Sequence, residues 1–500
     1  MKQPMGRYRM EKDSMGPVRV PAEAYYGAQT QRAVENFPIR GWRFQREFIY
    51  ALGLIKWAAA RTNADLGFLK PEMARAIQKA SEEVLVGKWD EQFVVDIFQT
   101  GSGTSTNMNA NEVIANRANE FLGKKKGTYQ PIHPNDHVNL GQSSNDVFPT
   151  AVHLTAVCLL EERLLPALNR LHRALGEKAK AFRPVLKIGR THLQDATPIR
   201  LGQEFGGYAR QVEAGIRNLR NTLMSVLELS LGGTAVGTGI NTHPRFSSKA
   251  IRLINQRTNH SFREAADHFE AQGARDGAVE MSGALKRMSV SLIKIANDIR
   301  WMGSGPRCGI GELLLPETQP GSSIMPGKVN PVIPESLIQV CAQVIGNDTA
   351  ITLSASNGNF ELNVMMPVLA NNLFESLRLL GNAVENFSKR CVEGLQADRQ
   401  RCEEMIEQSL ALVTALTPKL GYERAAHLAR KAYEQRKTIR QVVAEEGVLS
   451  KRDLDRLLDP RSMISPESDT PRKAGGLMSG AASKAVGPIA KRCAKAHLRC

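Results

Sequence analysis

The segment from Gly321 to Asn330, GSSIMPGKVN, concentrates groups that can bind an anion and react with it. Lys328 can pair with a carboxylate, and Asn330 can donate a hydrogen bond to the same group. The glycines allow backbone N–H groups to approach an anion closely. A serine beside such donors can act as a base, because the donors stabilise its alkoxide. The same pattern is also typical of an ordinary Gly-Pro turn before a helix, so spacing alone leaves both interpretations open.

A second polar segment, Gly189 to Pro198, contains His192 outside any apolar helical pattern. Imidazole is the side chain suited to carrying a proton near neutral pH. Thr191 and Gln194 offer hydrogen bonds without adding charge. Glu335, just beyond the serine segment, can orient and charge the imidazole if the fold brings the two groups together. A histidine with a purely structural role stays an equal alternative at this point.

Two further loops carry hydroxyl and amide groups without lysine, at residues 100–109 (TGSGTSTNMN) and 142–146 (QSSND). Such neutral donors are suited to binding a carboxylate. Phosphate binding is the competing interpretation, but there is no GKS/T ending and no GxGxxG after a strand-like segment. The glycine run at 232–239 also lacks a Val/Ile-rich segment before it. The sequence therefore does not favour a nucleotide cofactor.

The histidines and cysteines form no recognisable metal motif. His133 and His137 have the i, i+4 spacing of metal ligands, but Pro134 lies between them, and HExxH-type ligation needs a regular helix and a glutamate. The cysteines contain no CxxC pair, which argues against a zinc ribbon, an iron–sulfur cluster or a disulfide framework. They are Cys158, Cys308, Cys341, Cys391, Cys402, Cys493 and Cys500. We therefore expect reduced thiols, no metal and no cofactor.

The net charge of +16 over 500 residues raises the hypothesis of a nucleic-acid partner. Residues 467–500 hold seven Lys or Arg against two acids, and the remaining excess is spread over the rest of the chain. We find no basic stripe interleaved with aromatic residues and no zinc finger. A diffuse positive field fits an enzyme that attracts small dianions at least as well. A non-enzymatic basic helical scaffold stays the alternative from another functional class.

The hydropathy pattern predicts a cytoplasmic protein that does not enter a membrane. No apolar run approaches the ~18 residues of a membrane-spanning helix. The N-terminus carries positive charge but has no apolar stretch behind it, so it does not have the pattern of a secretory signal.

Five long amphipathic segments separate the polar loops. They lie near residues 151–182, 205–226, 285–299, 335–354 and 368–391. Pro166 removes one backbone hydrogen bond and should kink or divide the first of them. Segments of roughly 20 to 30 residues form rods of about 30 to 45 Å, which pack stably only in a bundle. Several rods are apolar over more than one stripe, so a single chain is not expected to bury them all, and we expect a homo-oligomer.

Taken together, these blocks closely resemble the class II fumarate hydratases of the fumarase/aspartase superfamily, over residues 11–466. The most specific block is GSSIMPGKVNP at 321–331, the superfamily signature. The members closest to fumarase are further marked by TGSGTSTNMN, QSSNDVFPTA, GRTHLQDATP, GGTAVGTGINTHP, SGPRCGIGE and GNFELN. The resemblance implies a mainly α, three-domain fumarase/aspartase-like fold. Its central long five-helix bundle would form a twenty-helix core in a homotetramer, with each active site assembled from loops of three subunits.

The resemblance also implies domain boundaries. It predicts an N-terminal domain at 1–142, a central helical-bundle domain with the signature loop at 143–399, and a small C-terminal domain at 400–466. The composition of residues 467–500 predicts a basic, disordered tail.

Roles for individual residues follow from the same resemblance. It makes Ser322 the base that takes the C3 proton of malate, and His192 the acid/base for water, with Glu335 of another subunit as its partner. The residues expected to bind the dicarboxylate substrate are Ser102, Gly103, Thr104, Ser143, Ser144, Asn145, Thr191, Ser323, Lys328, Val329 and Asn330. A second, accessory dicarboxylate site is expected at His133, Pro134, Asn135 and Asp136.

The implied reaction is the reversible anti addition of water to fumarate, giving (S)-malate through an aci-carboxylate carbanion, as in the tricarboxylic acid cycle. Lys328, Asn330 and the loop N–H groups are expected to stabilise the developing charge. Aspartate ammonia-lyase is the alternative within the superfamily, because PVIPE after the signature and MMP after GNFELNV are closer to aspartase usage. His192 favours the hydratase, since activating water calls for a histidine and eliminating ammonia does not.

Overall fold

Helices dominate the computed structural model, which describes residues 7–465; the predicted tail at 467–500 lies outside the described residues. The N-terminal part begins with an antiparallel hairpin and continues with four helices. These elements are β1 (Tyr8–Asp13), β2 (Gly16–Pro21), α1 (Ala28–Asn36), α2 (Arg46–Asp65), α3 (Pro71–Leu85) and α4 (Thr104–Phe121).

The middle of the chain holds the long helices. Its helices are α5 (Ser144–Leu159), α6 (Leu165–Ala181), α7 (Leu201–Asn221), α8 (Leu223–Val226), α9 (Phe246–Thr258), α10 (His268–Gly273), α11 (Asp276–Met302), α12 (Val332–Ala355) and α13 (Met366–Arg390). Short strands lie between them: β3 (Leu186–Thr191), β4 (Gln194–Arg200), β5 (Glu228–Leu229), β6 (Arg263–Glu264), β7 (Leu313–Leu314), β8 (Gly358–Asn359) and β9 (Leu362–Asn363).

The C-terminal part adds one strand and five helices. These are β10 (Gln396–Ala397), α14 (Arg399–Gln408), α15 (Thr417–Leu420), α16 (Tyr422–Gln435), α17 (Ile439–Glu445) and α18 (Lys451–Leu457). Every sheet among residues 7–465 has two strands, and only the β5–β6 pair is parallel. No helix in this range is both long and apolar enough to cross a membrane.

Five rods pack as a ring in the middle of the chain. Helix α6 packs on α7, α7 on α11, α11 on α12, α12 on α13, and α13 returns to α6 and α5. The apolar faces predicted from residues 205–226 and 285–299 point inward; Val212 and Leu292, for example, are fully buried. The prediction of a long-helix bundle is therefore confirmed.

The predicted break in the first rod is also confirmed. Helix α5 ends at Leu159, a wider π-helical turn spans Leu160–Leu164, and α6 begins at Leu165 with Pro166 in its first turn. Proline is tolerated there because the first N–H groups of a helix have no intrahelical acceptor.

Two apolar cores account for most of the buried surface. The larger runs from Phe44 to Cys402 and includes residues of α2 to α9 and α11 to α14. A separate cluster between Ile406 and Leu458 holds the C-terminal helices together. The long rods therefore act as the rigid scaffold on which the polar loops are mounted.

Candidate active site

Two helix N-termini meet to form a cluster of hydroxyl groups. The Ser102 and Thr104 hydroxyls lie 2.7 Å apart at the start of α4, and the Thr104 and Ser144 hydroxyls lie 2.6 Å apart where α5 begins. Ser102 and Ser144 are mostly buried. Because the N-terminus of a helix carries partial positive charge and unpaired N–H groups, this hydroxyl cluster can bind a carboxylate without a lysine.

Glycines allow the backbone to approach other elements closely at this cluster. Gly103 has φ +72°, and a Cβ atom there would lie 2.1 Å from a ring carbon of Phe148. No side chain fits at Gly101, because a Cβ atom there would lie 1.6 Å from the carbonyl oxygen of Val364. The absence of a Cβ atom at Gly103 lets Ser102 and Thr104 lie against the aromatic core, and the expected contact of Gly103 with substrate stays a prediction.

Helix α5 begins with a capping box that holds a second loop. The side chain of Ser143 accepts from the Asn145 N–H, and Asp146 accepts from the Ser143 N–H at 2.9 Å. The other carboxylate oxygen of Asp146 accepts from the N–H groups of Gly232 and Thr234, at 2.9 and 3.0 Å. Asp146 thus anchors the glycine-rich loop to the hydroxyl cluster.

The Asn145 side chain faces the same glycine-rich loop. Its amide nitrogen donates to the carbonyl of Ala235 at 2.8 Å. This leaves its amide oxygen close to the Ser144 hydroxyl, at 3.4 Å. Asn145 therefore joins the edge of the hydroxyl cluster.

A buried lysine supports the cluster from behind. Lys56 on α2 is fully buried and donates to Asn139 at 2.9 Å and Gln142 at 3.0 Å. Asn107 on α4 donates to the same Asn139 oxygen at 3.2 Å. Burial lowers the pKa of Lys56 to about 7, against the opposing charge of Asp146. The same burial raises the pKa of Asp146 to about 6 although three backbone N–H groups stabilise its charged form.

Neither Lys56 nor the anchoring role of Asp146 was predicted from the sequence. Asp146 lies inside the QSSND block, but its carboxylate is fully buried and accepts hydrogen bonds from backbone N–H groups. The available signal for Lys56 was a lone lysine inside the apolar run ALGLIKWAAA, since a cation in such a run must find buried partners.

His192 occupies the tip of the β3–β4 hairpin. Thr191 pairs with Gln194, so His192 and Leu193 form a two-residue turn, with φ +56° and +59°. Such turns normally carry Asn-Gly, because left-handed backbone costs other residues energy. The Thr191, His192 and Leu193 side chains are exposed, and no hydrogen bond to the His192 imidazole forms among residues 7–465. The turn therefore holds the imidazole out from the chain at an energetic cost.

A buried ion cluster fixes the base of this hairpin. Lys187 on β3 lies 3.1 Å from Glu204 and 3.2 Å from Glu312, and Arg190 lies 2.9 Å from Glu312. Glu312 and Lys187 are almost completely buried. Burial raises the pKa of Glu204. The imidazole thus lies at the exposed end of a hairpin whose base is fixed by buried ion pairs.

The loop from Gly321 to Asn330 is closed on itself. The Gly321 N–H donates to the Lys328 carbonyl at 2.7 Å, and the Asn330 amide donates to the Gly321 carbonyl at 2.6 Å. The Ser322 hydroxyl oxygen accepts from the N–H groups two and three residues later, at 3.2 and 3.0 Å. Those donors face the oxygen atom that carries the negative charge of the alkoxide, the form in which a serine can accept a proton, and hydrogen bonds to a charged form favour that form.

The other predicted residues of this loop project into solvent. Ser323, Lys328 and Val329 are exposed, and the Lys328 ammonium has no ion-pair partner among the described residues. Lys328 and Glu335 line a cleft of about 890 Å³ that also includes Trp301. Glu335, in the first turn of α12, likewise forms no ion pair within residues 7–465.

The structure does not join the three parts of the predicted site within one chain. His192 lies in a neighbouring cleft of about 630 Å³, which shares Trp301 with the cleft at Glu335. In the part of the chain that the structure describes, no hydrogen bond or ion pair links the hydroxyl cluster, His192 and Ser322. Each part is preorganised by its own loop, and each has an exposed face.

The segment predicted as an accessory site forms one wall of a separate cleft. His133 precedes a π-helical turn at Pro134–Val138, and its ring nitrogen accepts weakly from the next two N–H groups, both at 3.3 Å. The cleft measures about 370 Å³, and its walls include Lys12 together with two acidic residues, Asp13 and Glu112. Asp136 lies beside His133, at 3.3 Å, and points outward. The mixed charge makes this cleft a weaker candidate for a dianion than the signature loop.

The chain is similar to known proteins over most of its length. Residues 16–346 match a lyase family model, and residues 412–465 match a family model of the fumarase C C-terminus. Curated relatives named fumarate hydratase class II come from Neisseria meningitidis (52% identical; 92% of this chain and 99% of the relative) and Mycobacterium tuberculosis (54%; 92% and 97%). A crystal structure of recombinant class II fumarase from Schistosoma mansoni superposes with a TM-score of 0.89 at 40% identity, covering 92% of this chain and 100% of that one. The chain therefore belongs to the class II fumarate hydratase family of lyases.

Proposed function

We propose that the chain catalyses the reversible hydration of fumarate to (S)-malate. The hydroxyl cluster of Ser102, Thr104 and Ser144 is the observation that carries this proposal. It offers neutral donors at two helix N-termini, which suit one carboxylate, while the unpaired Lys328 suits the other. A linear dicarboxylate is the substrate class that uses both.

In the hydration direction, His192 takes a proton from water, and the resulting hydroxide adds to one alkene carbon. The electron pair of the double bond moves onto the neighbouring carboxylate, which becomes an aci-carboxylate. Ser322 delivers a proton to the carbon beside it, and the reverse reaction returns that proton to the serine alkoxide. Lys328 and Asn330 stabilise the extra negative charge, as fixed donors do in an oxyanion hole.

The functional unit we propose is a homotetramer in which three subunits supply the parts of each site. Two observations support it. The parts are separately preorganised yet unlinked in one chain, and the outer face of α12 carries no charged residue beyond Glu335. An uncharged face on a helix of 24 residues is typical of an interface. In that assembly Glu335 of the partner subunit pairs with His192.

The domain boundaries near 142 and 399 and a cytoplasmic location stay predictions. The separate apolar cluster between Ile406 and Leu458 supports the second boundary. The accessory site at His133, Pro134, Asn135 and Asp136 also stays a prediction.

The first experiment adds fumarate to the purified full chain and follows the loss of its ultraviolet absorbance. We expect turnover without added metal or nucleotide. A parallel reaction with fumarate and ammonia tests the aspartase alternative, and retention on DNA at low salt tests the scaffold alternative. The proposal would be refuted by a folded tetramer that adds ammonia but not water to fumarate, or that adds neither.

Single substitutions test the assigned roles. Ser322→Ala and His192→Asn should each lower kcat on the order of 10²-fold or more, because each removes a proton-transfer group. Ser248→Ala on α9 and His427→Asn on α16 are matched controls at exposed positions and should leave kcat unchanged. A near-normal rate in either site variant would remove that residue from the mechanism.

Mixing the two inactive variants tests whether sites are shared. Hybrid tetramers made from equal amounts of Ser322→Ala and His192→Asn chains should recover about a quarter of the wild-type rate. If the two residues of a site come from different subunits, each is intact in about half of the sites, so both are intact in about a quarter of them. Native mass spectrometry of the mixture establishes that hybrids have formed. Hybrids without any recovered activity would place both residues in the same subunit.

A further inference from the structure

Three side chains with metal-binding atoms converge where α5 ends, far from the active-site loops. The Cys158 sulfur lies 3.8 Å from the Nε2 atom of His260, and that nitrogen lies 3.9 Å from a Glu162 oxygen. The three ligand atoms all lie within 4.8 Å of one another. The His260 ring is nearly buried, whereas Glu162 is largely open to solvent.

These separations are close to those of a tetrahedral zinc site. With Zn–S of about 2.3 Å and Zn–N and Zn–O of about 2.0 Å, neighbouring ligand atoms lie roughly 3.3 to 3.6 Å apart. The Cys158–His260 distance of 3.8 Å exceeds the tetrahedral sulfur–nitrogen value by about 0.3 Å, and the His260–Glu162 distance of 3.9 Å exceeds the nitrogen–oxygen value by about 0.6 Å. Rotation of the exposed Glu162 side chain alone can close most of the remaining gap.

A fourth residue supplies an independent reason to expect a metal. A Glu161 carboxylate oxygen lies 2.7 Å from the Nδ1 atom of His260. Since the Nδ1–H donates to that carboxylate, the lone pair of Nε2 is directed toward Cys158 and Glu162. A carboxylate that fixes the tautomer and orientation of a histidine in this way is a recurrent feature of metal sites.

Three of the four residues come from one helix face, and the fourth comes from a segment distant in sequence. Cys158, Glu161 and Glu162 share a helix face because they are three and four residues apart, and the π-helical turn starts between them. His260 follows α9, 102 residues away in sequence. Ligands at that separation form no short sequence motif, which is why the sequence led us to expect no metal.

We propose that Cys158, Glu162 and His260 bind one Zn²⁺ ion per chain, with water as the fourth ligand and Glu161 as the orienting residue. When the ion binds, the Cys158 thiol releases its proton to solvent and the thiolate coordinates the metal. The site lies about 21 Å along α5 from Ser144. The ion therefore acts as a structural clamp between the central rod and the segment after α9, and not as a participant in hydration.

A cobalt titration tests the site directly. The background is the full chain carrying Cys308→Ser, Cys493→Ser and Cys500→Ser, dialysed against a chelator, so that neither the exposed Cys308 nor the two thiols outside the described residues can contribute. Co²⁺ should bind at one equivalent per chain with a thiolate-to-cobalt charge-transfer band in the near ultraviolet. One equivalent of Zn²⁺ should abolish that band and raise the midpoint of thermal unfolding.

Variants decide whether these residues are the ligands. Cys158→Ser should abolish the band, and His260→Gln should weaken Co²⁺ binding strongly. Glu161→Gln should weaken binding about 10- to 100-fold while the band persists, whereas Glu177→Gln on α6 is the matched surface control and should bind like the background. Absence of the band in the background protein, or an unchanged band in Cys158→Ser or His260→Gln, would overturn the proposal.

Discussion

Gly103→Ala is expected to damage both stability and catalysis, because two separate energetic costs meet at this residue. The first is backbone strain: φ is +72°, a conformation that costs a residue with a Cβ atom about 1–2 kcal/mol. The second is overpacking, since the new methyl group would lie 2.1 Å from the Phe148 ring. That ring cannot move aside freely, because it is fully buried against Phe48 and Phe44, with centroids 5.0 and 5.7 Å away. Overpacking of this kind costs about 1–3 kcal/mol.

The same helix offers a matched control. Gly123, just past the C-terminus of α4, has φ +71°, and nothing lies within 4 Å of its added Cβ atom. Gly123→Ala therefore includes the backbone strain without the overpacking. We expect Gly103→Ala to be less stable than Gly123→Ala by about 1–3 kcal/mol, measured as a shift of the urea or thermal midpoint.

Catalysis should distinguish the two variants more sharply. Relief of the clash must displace the backbone that carries Ser102 and Thr104, and a shift of about 1 Å at a substrate-positioning group costs on the order of 10²-fold in rate. kcat/KM for fumarate should fall by that factor in Gly103→Ala and stay unchanged in Gly123→Ala. Equal stability and equal kcat/KM in the two variants would refute the argument from close packing.

Three other perturbations have definite expected outcomes. Burial lowers the pKa of His153 to about 4, so between about pH 6.5 and 4 the unfolded chain binds a proton that the folded chain does not. Acidification through that window should lower the free energy of unfolding by up to about 3 kcal/mol. The urea midpoint of His153→Asn should therefore depend less on pH than that of the wild type. Leu193→Asn should stabilise the chain by about 0.5–1 kcal/mol, because Asn tolerates the left-handed turn; a lower thermal midpoint would contradict this. Glu112→Ala on α4 removes the acceptor of three backbone N–H groups at the start of α1 and should lower the free energy of unfolding by at least about 3 kcal/mol. Glu35→Ala on α1 should lower it by less than about 1 kcal/mol.

The sequence by itself determined the long rods in the middle of the chain and the break in the first of them. Steps of three and four between apolar residues predicted the rods, because burial of one helix face imposes that period locally. Pro166 predicted the interruption for an equally local reason, its missing N–H. Polar loops such as 321–330 were visible as candidate sites because Gly, Ser, Asn and Pro cannot form a buried core there.

Only the tertiary structure decided which polar groups meet. Thr104 and Ser144 are 40 residues apart, and Cys158 and His260 are 102 apart; no local period encodes either contact. The buried position of Lys56 and the left-handed turn at His192 also contradict the local preferences of their residue types. Packing energy from the whole bundle outweighs those preferences, so such features can be read only once the rods are in place.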